Sequence, residues 1–172
     1  MRPVGDWNAA PRLPDTLGFL PGGDAAQHMA RSDFRFAHPM RVRWAEVDRQ
    51  GIVFNGHYLL YFDVGITEYW RATGFPYPQG LLDQGSDLYV VKATVEYHRS
   101  AEYDDELEVC VRVARIGRSS MTFAIEIHRG PDHLVSGEVI YVNADPATRT
   151  SAPVPTVLRD RIAAFEGRDP SL

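Results

Sequence analysis

The sequence is poor in the features that mark secreted, zinc-binding and membrane-spanning proteins. A single cysteine, Cys110, stands in 172 residues, so no intramolecular disulfide can form, and no CxxC or Cys/His zinc spacing occurs. No apolar run approaches the roughly 18 residues that suggest a membrane-spanning helix, and the N-terminus lacks the apolar stretch of a secretory signal. These absences predict a cytoplasmic protein without a membrane span. Cys110 is interpreted as a small residue on a strand.

Positive charge is also scarce. The net charge is -5 at pH 7, which argues against a nucleic acid or an anionic membrane as the partner of the whole protein, although a local basic patch remains open. The six histidines show no HxH or HExxH spacing, and Asp104-Asp105 has the character of a turn, so no metal site is predicted. Hydrophobic residues make up 44% of the chain, which is enough for the core of one domain.

The beginning of the chain differs in composition from the rest. Residues 1–38 are rich in proline and contain the pair Gly22-Gly23, with only scattered apolar side chains, which predicts an extended N-terminal arm. One domain is expected over residues 39–167, followed by a C-terminal tail over residues 168–172.

Periodicity indicates one long helix followed by antiparallel strands. Residues 56–73 carry apolar side chains at intervals of three and four, with Asn55 as the expected N-cap and Gly74 as the expected C-cap. Gly65, inside this helix, suggests the close approach of another element. Alternation predicts strands at 40–46, 88–98, 106–115, 119–129 and 134–143, and a short helix at 155–166. This order predicts an α+β fold whose sheet curls around the long helix.

The segment AEVDRQGIVFNGHYLLYFD, residues 45–63, gathers the polar residues of greatest interest. Asp48 lies in a polar loop with Gly51, and Asn55-Gly56-His57-Tyr58 opens the long helix. A helix N-terminus offers unpaired backbone N–H groups and the positive end of the helix dipole. A carboxylate and a set of hydrogen-bond donors are therefore expected side by side, with Gly51 permitting the turn between them.

This segment resembles the signature of the hotdog-fold acyl-CoA thioesterases of the 4-hydroxybenzoyl-CoA thioesterase type, which include the Tol–Pal-associated acyl-CoA thioesterases. Glu46, Asp48, Gly51, Ile52-Val53 and Tyr58 match it, and residues 90–109 and 117–123 continue the similarity in the same order. The resemblance implies a hotdog fold, with about five antiparallel strands around one central helix. It also implies an acyl-CoA substrate, a homodimer or homotetramer, no metal, and no cofactor beyond the coenzyme A of the substrate.

The chain departs from many relatives at two positions of this motif. Val47 stands where Thr or Cys is common, and Asn55 where His or Tyr is common. Asn55 is closer to the pattern of other hotdog acyl thioesterases. These differences leave the acyl group of the substrate open.

The resemblance implies roles for the residues of the motif. Asp48 is expected to act as general base for water or as nucleophile, and the backbone at Gly56, His57 and Tyr58 to bind the oxyanion. Asn55 has two interpretations, a helix cap or a partner that orients water or the thioester oxygen. His57 can equally be a packing or interface residue, and Tyr58 a core residue or part of the acyl pocket.

A second group of residues resembles the coenzyme A-binding segment of this family. Arg118-Ser119-Ser120, together with Lys92, is expected to bind the phosphates and pantetheine, because Arg grips phosphate in a bidentate way and Ser can donate to it. The alternative is a basic hairpin turn without a ligand. Glu68, in the middle of the long helix, corresponds to the carboxylate of another hotdog branch, but an exposed helical glutamate is the simpler interpretation.

Three other functions compete with acyl-CoA hydrolysis. The substrate can be an acyl carrier protein thioester, or the chain can be a non-catalytic acyl-CoA-binding or scaffold protein. A hotdog hydratase is disfavoured, because one common form of that chemistry places a His five residues after the Asp, where Val53 stands here.

Overall fold

Five strands form one antiparallel sheet in the order β1-β3-β4-β5-β2. The computed structural model describes residues 30–170. The strands are β1 (Phe36–Arg41), β2 (Asp87–Tyr97), β3 (Glu106–Ile116), β4 (Ser120–Arg129) and β5 (Asp132–Ala144). The helices are α1 (His57–Thr73), α2 (Gln79–Leu82) and α3 (Thr156–Glu166), and short 3-10 helices cover Arg31–Asp33 and Trp44–Glu46.

Helix α1 packs on one face of the sheet, because a stripe of large apolar side chains runs along it. Tyr69 and Trp70 of α1 contact the ring of Phe123 on β4, with ring centroids 5.8 and 5.5 Å apart. The residues predicted to point inward from β3 and β4 are all buried, namely Leu107, Val109, Val111, Val113, Met121, Phe123, Ile125 and Ile127. The prediction of an α+β fold with one long helix against a five-stranded sheet is confirmed.

Gly65 allows this helix to approach β3 closely. A Cβ atom added at Gly65 would lie 2.6 Å from Cγ1 of Val109 and 3.0 Å from Cγ2 of Val111. Both valines are fully buried and stiff about χ1, so neither can move aside easily. The predicted role of this glycine is confirmed. Gly74 ends the helix in the left-handed region, with φ of 70°, as the sequence predicted.

The predicted strand at residues 40–46 is wrong beyond Arg41. β1 lies earlier, and after Arg41 the chain leaves the sheet and forms a 3-10 turn. The N–H of Val42 still donates to the carbonyl of Asp105 at 3.0 Å, but the N–H of Glu46 donates locally to the carbonyl of Arg43 at 3.0 Å. The Glu46 carboxylate also accepts the Arg43 backbone N–H at 2.7 Å, which closes the turn despite the alternating sequence.

The two ends of the described chain lie against the sheet. Part of the segment predicted as an arm is attached to the domain, because Arg31 pairs with Glu108 at 3.1 Å and Phe34 is only 4% exposed. At the other end, Arg168 donates to the carbonyl of Val113 at 2.8 Å, within the segment predicted as a tail. Residues 1–29 of the predicted arm lie outside the described residues.

Replacement of Gly65 by leucine tests the packing of α1 on the sheet. We expect Gly65→Leu to lower the free energy of unfolding by about 2 kcal/mol, because the added side chain overlaps Val109 and Val111. Such a loss corresponds to a fall in Tm of roughly 4–8 °C for a domain of this size. Ala72→Leu, at an exposed position of the same helix, is the control and should change Tm little. Equal Tm values for Gly65→Leu and the wild type would contradict the close approach.

Candidate active site

The loop that carries Asp48 is a tight turn closed by backbone hydrogen bonds. Val47 and Val53 form an antiparallel bridge, and the N–H of Asp48 donates to the carbonyl of Ile52 at 2.9 Å. Inside the turn, the N–H of Gly51 donates to the carbonyl of Asp48 at 3.0 Å. Gly51 has φ of 80°, a left-handed conformation that side chains disfavour, so its predicted role in the turn is confirmed.

The side chain of Asp48 is held by its own loop. Its Oδ1 accepts the backbone N–H of Gln50 at 2.7 Å, the contact typical of an Asx turn. Its Oδ2 has no hydrogen-bond partner among residues 30–170, and the residue is half-buried. The carboxylate therefore has a fixed orientation and one oxygen that is available to a ligand.

Backbone contacts hold the Asp48 loop against the residues that precede α1 and against the segment between β2 and β3. The N–H of Phe54 donates to the carbonyl of Glu46 at 2.9 Å, and the N–H of Val53 donates to the carbonyl of Ala101 at 2.9 Å. The segments on either side of Asp48 therefore run side by side up to the residues that open the helix. This arrangement places the Asp48 turn next to the N-terminus of α1.

Glu46 is a buried carboxylate whose structural role was not predicted from the sequence. Its carboxylate accepts hydrogen bonds from the Arg43 side chain and backbone and from the Tyr61 hydroxyl, the last at 2.9 Å. Burial by itself raises the pKa of Glu46, but the hydrogen bonds from Arg43 and Tyr61 outweigh it and hold the pKa below its ordinary value. Burial and the neighbouring Glu46 carboxylate also raise the pKa of Tyr61. The hydrogen bond between Glu46 and Tyr61 was not predicted from the sequence, in which the two residues are 15 positions apart.

The N-terminus of α1 differs from the prediction. The N-cap is Gly56 and no side chain caps the helix, so the prediction of Asn55 as N-cap is wrong. The N–H of His57 donates to the carbonyl of Phe54 at 2.9 Å, and that of Tyr58 to the carbonyl of Asn55 at 3.4 Å. The N–H of Gly56 has no acceptor within the described part of the chain. It is therefore the most available donor of the predicted oxyanion group.

Asn55 presents its side chain to solvent. Its carbonyl oxygen accepts the hydroxyl of Tyr97, the last residue of β2, at 3.1 Å. Its side-chain amide makes no hydrogen bond to any residue that the structure describes, and the residue is exposed. Because the capping role is absent, the amide remains available for water or a thioester oxygen, which stays a prediction.

Tyr58 belongs to the core, and His57 lies at its edge. Tyr58 is 2% exposed, its hydroxyl accepts the N–H of Ala101 at 3.0 Å, and burial raises its pKa. Its ring meets that of Tyr97 at a centroid distance of 5.6 Å. His57 is half-buried and packs edge-to-face against Phe54 at 5.9 Å. Both side chains pack against neighbouring residues. Their catalytic contribution stays a prediction.

Three of the predicted coenzyme A-binding residues, Arg118, Ser119 and Ser120, lie at the opposite end of the sheet from Asp48. Ser119 accepts the N–H of Asn143 through its carbonyl at 2.8 Å, next to the pairing of Ala144 with Asp87, the first residue of β2. Asn55, by contrast, is held by the last residue of β2. An 11-residue strand spans roughly 33 Å, so one protomer does not bring Arg118, Ser119 and Ser120 to Asp48.

The side chains of this second group remain accessible. Arg118 is exposed, and its guanidinium makes no ion pair with a described residue. Lys92 forms an exposed ion pair with Glu138 at 3.2 Å, midway along β2. Arg159 of α3, which the sequence did not single out, donates to the carbonyl of Arg118 at 3.1 Å and to that of Val154 at 3.2 Å. These contacts hold the backbone of the turn, while Arg118 itself is exposed.

Comparisons with known proteins agree with this architecture. The chain is 30% identical over 112 residues to the acyl-CoA thioester hydrolase YbgC of Escherichia coli, covering 64% of this chain and 83% of that protein. It is 32% identical over 98 residues to the acyl-CoA thioesterase YbgC of Haemophilus influenzae, covering 56% and 71%. The model of the Thioesterase superfamily matches residues 50–136. The chain belongs to the thioesterase superfamily.

A solved thioesterase has the same fold as this superfamily member. The thioesterase of Thermus thermophilus, crystallised with coenzyme A and Zn, superposes with a TM-score of 0.68 at 27% identity, covering 79% of this chain and 97% of that chain. The predicted hotdog fold is confirmed, and the protein is a thioester hydrolase.

The region matched by the family model covers only part of the candidate site of this thioesterase. It contains Asn55 to Tyr58, Lys92 and Arg118 to Ser120, but it begins two residues after Asp48. The role of Asp48 therefore depends on the motif and on the loop geometry. Within residues 30–170 no helix is long and apolar enough to cross a membrane. The cytoplasmic location stays a prediction.

Proposed function

We propose that this thioesterase hydrolyses acyl-CoA, with Asp48 as the base or nucleophile and the N–H of Gly56 as an oxyanion donor. The observation that carries the proposal is the paired backbone of the Asp48 turn, in which the Glu46 carbonyl accepts the N–H of Phe54 at 2.9 Å. This pairing supports a site in which the oriented Asp48 carboxylate acts together with the unengaged Gly56 amide. A thioester carbonyl between the two would meet a base on one side and a donor on the other.

The hydrolysis follows from these two groups. The Gly56 N–H would stabilise the negative charge that develops on the thioester oxygen as the tetrahedral intermediate forms. Asp48 would either accept a proton from the attacking water or attack the carbonyl itself, giving an anhydride that water then cleaves. The C–S bond breaks, coenzyme A leaves as a thiolate that takes up a proton, and the acid is released. The Asn55 amide would orient the water or the thioester oxygen.

We also propose that the working unit is a homodimer formed along β2. This strand is an edge of the sheet, and Val90 and Val91 on it are 56% and 60% exposed. Leu60 on α1 is 58% exposed as well. A long apolar edge strand would promote aggregation if it stayed uncovered. A second copy, pairing its own β2, would extend the sheet and cover these side chains. Two such dimers would give the predicted tetramer.

Pairing of two β2 strands about a twofold axis would also complete the site. A twofold axis makes the two strands antiparallel, so the Asp87 end of one strand faces the Tyr97 end of its partner. The separation of Arg118 from Asp48 within one protomer supports a site to which both protomers contribute. Coenzyme A would bind Arg118, Ser119, Ser120 and Lys92 of one copy, while its acyl group would reach the other copy's Asp48.

Mixed dimers test the shared site directly. We expect Asp48→Asn and Arg118→Ala homodimers each to be impaired, the second about 10-fold or more in kcat/KM through loss of a charge-assisted phosphate contact. After unfolding and refolding together in equal amounts, half of the dimers would be mixed, and each of these would have one intact site. The mixture should therefore recover about a quarter of the wild-type activity, as random pairing requires.

Controls distinguish a site shared between two protomers from a site within one protomer. Each variant refolded alone should stay impaired, and the wild type taken through the same cycle should recover its activity. If both groups served the same site within one protomer, no mixed dimer would have an intact site and activity would stay at the level of the separate variants. That result would contradict the shared site without contradicting hydrolysis.

The identity of the carrier is tested with matched thioesters. We propose coenzyme A as the carrier, because an exposed Arg and two Ser residues in one turn suit its phosphates. Thiol release should be faster from acyl-CoA than from the same acyl group on an acyl carrier protein. Arg118→Ala should reduce this preference. A higher kcat/KM for the carrier-protein thioesters would favour the alternative substrate class.

A further inference from the structure

A second group of polar side chains lies on the face of the sheet that is turned away from α1. Glu126, His128 and His133 each offer one ligand atom, and these three atoms lie within 4.8 Å of one another. None of them takes part in the proposed hydrolysis. The group lies at the β4–β5 hairpin.

The strand pattern explains why these residues converge. Glu126 and His128 are two apart on β4, so they share one face, while Ile125 and Ile127 between and beside them are buried toward α1. The hairpin then pairs His128 with His133 across the two strands. Three residues from an eight-residue segment thus come together through a strand period and a turn.

Burial and hydrogen bonds hold this group rigidly. Glu126 is 4% exposed and His128 is 6% exposed, and His128 Nε2 lies 2.8 Å from Glu126 Oε2. Ser136 Oγ lies 3.0 Å from His133 Nε2 and 3.0 Å from His98 Nε2. The rings of His98 and His133 have centroids 4.6 Å apart. A third imidazole, that of His98, therefore lies beside the three converging residues.

We propose that Glu126, His128 and His133 bind a divalent transition-metal ion of the zinc type, such as Zn²⁺ or Co²⁺. Two imidazole nitrogens and one carboxylate oxygen are a donor set that such ions favour. His98 or a water molecule supplies the fourth ligand of a tetrahedral site. On binding, the metal takes the place of the proton between His128 and Glu126, and small side-chain rotations bring the ligand atoms to equal distances from it.

The ion would join the ends of three strands. Glu126 and His128 belong to β4 and His133 to β5, and His98 follows β2 directly. Metal binding to the folded chain alone raises stability by mass action. The sequence did not predict the site because the His spacings that indicate metal binding locally are those of helices and of HxH, whereas Glu-x-His with a partner across a hairpin has no local signature.

Cobalt binding to the metal-free full-length protein tests the proposal. Co²⁺ in a site with His nitrogens and tetrahedral geometry gives strong visible absorption, which should saturate at one ion per chain. Saturating Zn²⁺ should raise Tm by roughly 5 °C or more. His133→Ala should weaken binding by at least about 100-fold, more than loss of an outer partner usually costs, and Ser136→Ala by about 10-fold.

Matched variants separate a metal site from a simple His–Glu pair. Glu126→Gln keeps the shape and an acceptor for His128, so it should fold, yet it should lose most of the affinity for Co²⁺. His38→Ala, on β1 and outside this group, should bind Co²⁺ like the wild type. Absence of Co²⁺ binding by the wild type would overturn the proposal. So would equal binding and equal Tm shifts for the wild type, His133→Ala and Glu126→Gln.

Discussion

Asp48→Asn is expected to lower kcat/KM for acyl-CoA hydrolysis by about 10²-fold or more, because an amide is neither a base nor an oxygen nucleophile. The change is well suited to the structure. Asn keeps the side-chain oxygen that accepts the N–H of Gln50 at 2.7 Å, so the turn should persist. The measurement is thiol release over a panel of acyl-CoA substrates, and the best wild-type substrate then defines the acyl specificity.

The form of the loss distinguishes chemistry from binding. Asp48 is proposed either to take a proton from the attacking water or to attack the carbonyl carbon. The decrease should therefore appear in kcat, with KM changed much less. Asp160→Asn, an exposed carboxylate on α3, is the matched control and should retain wild-type kinetics. An unchanged kcat/KM in Asp48→Asn would place the carboxylate elsewhere. Glu68, which pairs with Arg71 one helical turn away, would then be the next position to replace.

The elements that face the core were the most predictable from the sequence. Helix α1 differs by one residue from the prediction at 56–73, and β3 and β4 carry their buried residues where alternation placed them. Both periodicities reflect the burial of one face of an element against a single core. Such a periodicity is visible within a short stretch of sequence. The fold was predictable for that reason, and the motif around Asp48 identified the hotdog class.

The parts that were missed depend on individual side-chain contacts that hydrophobic periodicity does not predict. Residues 42–46 alternate like a strand, yet they turn because Glu46 accepts hydrogen bonds from Arg43, three residues before it, and from the Tyr61 hydroxyl on α1. Asn55 resembles an N-cap by residue type, but the helix begins with Gly56 instead. Its carbonyl is occupied by Tyr97, which comes from β2.

The candidate site was predicted as a set of residues but not as an arrangement. Order in the sequence does not tell at which end of a sheet a turn emerges, and the strand pairing alone reveals that Arg118 and Asp48 lie at opposite ends. The same limit applies to Glu126 and His133. Their proximity depends on the register of the β4–β5 hairpin, which shifts between Ile127 and His128.

The second large effect is expected on stability, at Glu46. Glu46→Gln should lower the free energy of unfolding by about 2–3 kcal/mol at neutral pH, because the amide cannot satisfy the Arg43 donors and the buried Tyr61 hydroxyl as the carboxylate does. That loss corresponds to a decrease in Tm of roughly 4–12 °C. Tyr61→Phe is the matched control and should cost only about 1 kcal/mol, since it leaves the Arg43 contacts intact.

The pH dependence identifies the charge of Glu46 as the cause. Its pKa is lower in the folded chain than the ordinary value of about 4.3, so its contribution is complete above that value and is lost as pH falls through the folded pKa. The Tm difference between the wild type and Glu46→Gln should therefore be constant from pH 7 to roughly 5 and shrink below about 4. A difference that stays the same at acidic pH would mean that shape, not charge, holds the Asp48 loop to α1.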